Sequence, residues 1–130
     1  MRKLTHYISD ETGVSAAEFA LAFIPFSALV FGIISLSLVL YANQTLQYAT
    51  QAAARYYSVT TANNNGTEPS GTAISNYGLQ QYLGPLTPTF TSSRGGCGPN
   101  GFQVYGSGSI PLNAGLVNTT LTLQAHACYP

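Results

Sequence analysis

The sequence predicts an α+β fold: a long N-terminal helix that serves as a membrane anchor and continues outside, with a small antiparallel sheet packed on its upper part. Three stretches carry that prediction. The run Phe19–Ala42 holds 24 residues, of which Pro25, Ser27, Gly32, Ser35 and Ser37 alone fall outside the strongly apolar set. As a helix it reaches about 36 Å, more than the ~30 Å hydrocarbon core of a bilayer, and it is apolar all round where a core helix of a soluble domain keeps a polar face. Beyond it, Leu46, Ala49, Ala53 and Tyr57 recur at helical spacing while Asn43, Gln44, Gln47, Gln51 and Arg55 take other faces. Near the C-terminus, Leu121, Leu123, Ala125 and Ala127 alternate with Thr120, Thr122, Gln124 and His126, the pattern of a strand with one buried face.

The chain opens with Arg2 and Lys3 ahead of the apolar run, against Arg55 beyond it. By the positive-inside rule the N-terminus is cytoplasmic and everything after the run is extracytoplasmic. The run is too long for the apolar region of a cleaved secretory signal, so it is expected to stay as an anchor. At its mouth sits a single acid, Glu18, which reads in two ways: a functional intramembrane carboxylate, or an interfacial acid near the positive end of the helix dipole. Inside the run, Pro25 removes the donor that would pair with the Leu21 carbonyl, predicting a local kink. Ala28 and Gly32 offer a small-residue face to a neighbouring helix. With no glycine between Gly32 and Gly66, the helix is expected to run on to about Ser58.

Thr60–Thr72 reads as a loop, because Asn63-Asn64-Asn65-Gly66 and Pro69-Ser70-Gly71 favour turns. Ala73–Leu83 reads as a short helix stopped by Gly84-Pro85. Strands are expected at Leu86–Ser92, Phe102–Tyr105 and Thr119–Cys128, the last two separated by a Gly/Pro/Asn-rich connection. Cys97 and Cys128 both follow the apolar run, in what the charge rule makes an oxidising compartment, so a disulfide between them is expected. The rivals, two free thiols or a metal pair, lack the close Cys or His spacing of a metal site.

Net charge is zero and 6% of residues are charged. A nucleic-acid partner is therefore not expected, since phosphate contact needs clustered Lys and Arg. No catalytic constellation, cofactor motif or metal set emerges. His126 falls on the polar face of a strand, Glu68 falls in the Thr60–Thr72 loop, and the many serines lack a positioned base. Gly106-Ser107-Gly108-Ser109 has no following Lys and no helix pattern, so it is not a phosphate loop. The chain is not expected to be an enzyme. Its nine tyrosines suit core and boundary positions, or stacking on sugars.

Gly13, a neutral spacer (Val14, Ser15, Ala16, Ala17), then Glu18-Phe19-Ala20-Leu21 and a proline within the apolar run together resemble the TadE-like family of pilin-related proteins. The resemblance implies a leader, residues 1–13, that a membrane-embedded prepilin peptidase removes after Gly13. Val14 would then be the new N-terminus, with Gly13, Val14, Glu18 and Phe19 as the processing residues. It also implies that Glu18 neutralises the N-terminal amine during assembly with other pilin or pseudopilin subunits through the N-terminal helix. The expected division is thus a cytoplasmic leader at 1–13, a transmembrane and continuing helix at 14–58, and a small extracytoplasmic domain at 59–130. The implied role is structural: a minor pilin or pseudopilin of a tight-adherence type IV pilus, resident in the bacterial inner membrane. A major filament subunit of the same class, or an anchored binding module with no filament role, are the alternatives.

Overall fold

A computed structural model of the protein describes residues 11–98, 100–114 and 117–130. It contains helix α1 (Glu11–Asn63), helix α2 (Gly71–Gln81) and strands β1 (Thr89–Arg94), β2 (Phe102–Ala114) and β3 (Val117–Tyr129). The strands form one antiparallel sheet in the order β1-β2-β3, so the expected α+β class is the one observed. The chain divides into two units, the first ending at Ser37 and the second running Leu38–Pro130.

Within the first unit α1 is helical through Pro25 and exposes its large side chains, Phe19 at 69% and Leu21 at 73% among them. Two serines of this stretch turn inward to the helix itself. Ser35 and Ser37 donate their hydroxyls to the carbonyls of Phe31 and Ile33, each at 2.9 Å. Such pairing satisfies these two hydroxyls without water, which is the condition hydrocarbon imposes.

In the second unit, Ala42, Leu46, Ala49, Ala53 and Tyr57 form a stripe along α1 that is buried against Ile74 of α2 and Phe90, Phe102, Val104, Leu123, Ala125 and Ala127 of the sheet. Leu46, Ile74 and Val104 are wholly enclosed, and burying each side chain of that size is worth about 1.5–3 kcal/mol. Alanines on the helix side let the sheet come close. The closest approach is at Gly106 of β2, where a Cβ would stand 2.5 Å from Thr50 Oγ1 and 3.2 Å from Leu46 Cδ1, so no larger residue fits there without moving the helix. Buried Thr50 keeps its hydroxyl satisfied by donating to the Leu46 carbonyl at 2.7 Å.

Several boundaries differ from the expected ones, each for a physical reason. α1 runs on to Asn63, past its expected end near Ser58. Its last turns are held by Thr61, which is buried and donates to the Tyr57 carbonyl at 2.8 Å. The stop comes where Asn65 (φ 53°) and Gly66 (φ 87°) turn left-handed and the Gly66 N–H returns to the Thr61 carbonyl at 2.9 Å, a Schellman-type end. α2 starts at Gly71 because Ser70 caps it, accepting from the Ala73 N–H, and it ends at Gln81 rather than Leu83. β1 starts at Thr89, after Pro88, and not at Leu86.

The largest difference is β2, expected to end at Tyr105 but extending to Ala114 and pairing along its whole length with β3. Pro111 is compatible with that strand because β1 pairs β2 only from Phe102 to Ser107. Past Ser107, β2 has β3 as its one strand neighbour, so the missing proline donor faces away from the ladder. β3 likewise gains residues at both ends relative to Thr119–Cys128.

Candidate functional site

The segment singled out by the sequence lies at the start of α1. Gly13, Val14, Glu18 and Phe19 all fall within the helix, with Val14, Glu18 and Phe19 exposed. Val14 and Glu18 are one helical turn apart and so share a face. Phe19 and Phe23, also one turn apart, stack with ring centroids at 5.7 Å. Residues 1–10, with Arg2 and Lys3, lie outside the described residues. What the helix presents from Val14 to Leu40 is an apolar surface with one carboxylate near its start. Gly32 has nothing within 4 Å of the place a Cβ would take, so the small face at Ala28 and Gly32 is open within this unit.

In the second unit the structure joins Cys97 to Cys128 in a disulfide, with Cα atoms 5.8 Å apart. The bond ties the turn after β1 to the end of β3. That turn is closed by the Gly95 N–H donating to the Gly101 carbonyl at 2.9 Å, with Gly95 and Gly98 in the left-handed region that favours glycine.

A polar cluster that sequence reasoning missed sits at the same end. Glu68, placed in a loop by the sequence, accepts from the Tyr57 hydroxyl at 2.7 Å and pairs with Arg94 at 2.9 Å. The Arg94 guanidinium in turn lies 5.6 Å over the Phe102 ring, which packs against Tyr57 at 4.7 Å. The available signal was scarcity: Glu68 and Arg94 are the only formally charged side chains after Arg55, and in a tail so poor in charge each has one opposite partner to find. Burial, then the Glu68 hydrogen bond, pushes the Tyr57 phenol up to about 12. The Tyr57 hydrogen bond, then that of Arg94, holds Glu68 below the usual carboxylate range.

Since the folded state lowers Glu68, the cluster's contribution is present above the ordinary carboxylate pKa of about 4.3 and is lost as pH falls through the lowered value. Since it raises Tyr57, that contribution is present below the ordinary phenol value near 10 and is lost as pH rises through about 12. We expect Glu68→Gln to lower the thermal midpoint at neutral pH, with the difference from wild type closing as pH is taken below about 4. Thermal melts of both proteins across that range read it, and a difference that is constant with pH would assign the effect to shape rather than charge.

Among the described residues no group of three or more His, Cys, Asp or Glu is placed to hold a metal ion. His126 is exposed on β3, its ring 6.1 Å from that of Tyr105.

α1 is long and apolar enough to cross a membrane, and its membrane-type stretch carries the Gly13–Glu18 signature at one end and the helix–sheet core at the other. The described chain is thus an α+β protein whose long N-terminal helix is compatible with a membrane anchor. Residues 13–55 match the family described as TadE-like protein, in agreement with the resemblance read from the sequence. The match covers about a third of the chain, from Gly13 to Arg55 on α1, and does not extend to α2 or the sheet. No curated protein and no solved structure matched the chain.

Proposed function

We propose that the protein is a structural pilin-like subunit, a minor pilin or pseudopilin of a tight-adherence type IV pilus, that supports pilus assembly and surface adhesion. The observation that carries the reading is the coincidence, in one helix, of the TadE-like match with a bare apolar surface from Val14 to Leu40. A helix so exposed needs lipid before assembly, and like helices of other subunits can replace lipid afterwards without exposing apolar surface to water. On this reading residues 1–13 are a cytoplasmic leader removed by a prepilin peptidase, residues 14–58 anchor the chain in the inner membrane, and residues 59–130 are extracytoplasmic. On this reading the role is structural rather than enzymatic.

The test is the mass of the mature chain. Intact-mass analysis of membrane fractions from cells with an active prepilin peptidase is expected to show loss of residues 1–13, and Gly13→Lys is expected to keep them. A wild-type chain that retains Met1–Gly13 under those conditions overturns the reading.

A further inference from the structure

The second unit carries a trough of about 840 Å³ that the anchor and the helix–sheet core do not use. Its floor is the side of α1 turned away from the core, where Tyr48, Ala52, Arg55 and Val59 follow one another at steps of three and four residues and so line one face. One wall is α2, through Tyr77 and Gln81, and the other is the end of β3 from His126 to Tyr129. From Tyr48 to Val59 the floor runs straight for about 16 Å.

We propose that this trough binds a neutral, extended oligosaccharide. Four of the chain's tyrosines line it: Tyr48, 60% exposed on the floor; Tyr56 and Tyr77, stacked at 4.4 Å where α1 meets α2; and Tyr129, 39% exposed on the opposite wall. Exposed tyrosine rings are flat apolar platforms with a polar tip, the surface on which the C–H face of a sugar ring packs. Between them stand Gln51 and Arg55, with Gln81 across the floor. Each amide brings two donors and an acceptor, and the guanidinium brings five donors, so together they answer a ligand made of hydroxyls, which donate and accept equally.

Charge narrows the class. No Asp or Glu lines the trough, so nothing holds a cation, a polyamine or a basic peptide. Arg55 is the one fixed positive charge, too little for a phosphate-rich polymer. A second helix is the other shape that would lie along such a floor, but an apolar helix needs a continuous apolar seam, and here Arg55 interrupts it between Ala52 and Val59.

Use of the trough in adhesion rests on the pilin reading, but binding itself does not. It is measured on the isolated full-length chain in a detergent whose headgroup contains no sugar, using cellohexaose and chitohexaose as probes. The chain has no tryptophan and four of its nine tyrosines line the trough, so binding is expected to change the tyrosine emission, and saturation-transfer NMR identifies the sugar protons that touch the protein. Saturable binding of at least one hexasaccharide is expected, weakened about 2- to 10-fold by Tyr48→Ala and by Tyr129→Ala, the range of a single aromatic contact. Because Tyr48 is exposed, its loss is expected to leave the thermal midpoint near that of wild type. Should it not, exposed Gln51→Ala reads the same floor. Failure of both probes to bind overturns the proposal, as does binding that neither tyrosine variant weakens. Arg55→Cys that cross-links two copies, with neither hexasaccharide competing, also overturns it and makes the trough an interface between copies. None of these failures touches the filament reading, which is judged by processing at Gly13.

Discussion

Replacing Cys97 and Cys128 together by serine lowers the stability of the second unit by about 3–4 kcal/mol. The two cysteines are 31 residues apart in sequence, and in the chain-entropy model closing a loop of that length restricts the unfolded chain by about that much. The unit has little else to offset the loss: its core is one stripe of α1, one residue of α2 and one face of three strands, with alanine at six of thirteen buried apolar positions. For a unit of this size a change of 1 kcal/mol moves the thermal midpoint by about 4–8 °C, so a fall of roughly 12–30 °C is expected. Thermal unfolding of the full-length chain, followed by tyrosine signals with and without reductant, measures it. A midpoint unmoved by both reduction and the double substitution would mean that the helix–sheet core holds the unit by itself.

How much of this architecture could be read from residues alone depended on whether a segment's structure is set locally or by its neighbours. The apolar half of α1 is local: Phe19–Ala42 is long and apolar enough to form a membrane-type helix from its own sequence, and the family match covers the same stretch from Gly13. The buried stripe Leu46, Ala49, Ala53 and Tyr57, and the inward face of β3 at Leu123, Ala125 and Ala127, were legible because period alone reports burial. Leu121 shared that period but is 37% exposed, since it lies past the part of the sheet that α1 covers most closely.

The misread segments are those where tertiary contact overrides local preference. Gly106, Gly108, Pro111 and Asn113 look like a connection, yet they form the second half of β2. At Gly106 glycine is required by the approach of Thr50 and Leu46 from another element, which no local pattern announces. In the same way the β-branched end of α1, Val59-Thr60-Thr61, is a poor helix by propensity and is kept helical by the burial of Thr61. The Tyr57–Glu68–Arg94 cluster joins residues far apart in sequence and could be suspected only from the shortage of other charges.

If the proposed pilin reading holds, Glu18→Gln is expected to leave membrane level and leader removal near those of wild type and to deplete the protein from sheared appendages. The structure places Glu18 one turn from Val14 on the exposed surface of α1. On the proposed reading, cleavage after Gly13 gives Val14 a free amine, so the start of the helix would hold two opposite charges at the membrane edge. In lipid, near the headgroups, each can keep some water. Moving them into a bundle of apolar helices removes that water, at an effective cost of several kcal/mol per ion unless they pair. Pairing is open to them within one helix, across the single turn, or between neighbours in a staggered assembly, where the carboxylate of one subunit meets the amine of the next. Glutamine keeps the size and a hydrogen-bonding group but leaves the amine unneutralised. The penalty therefore falls on the assembled state and spares insertion, where the site is still wet. Each 1.4 kcal/mol of it reduces incorporation tenfold, so a depletion of at least about tenfold is expected. Quantitative mass spectrometry of sheared appendages against membrane fractions gives the ratio. Incorporation of Glu18→Gln at the wild-type level would remove the pairing role and return Glu18 to an ordinary interfacial acid.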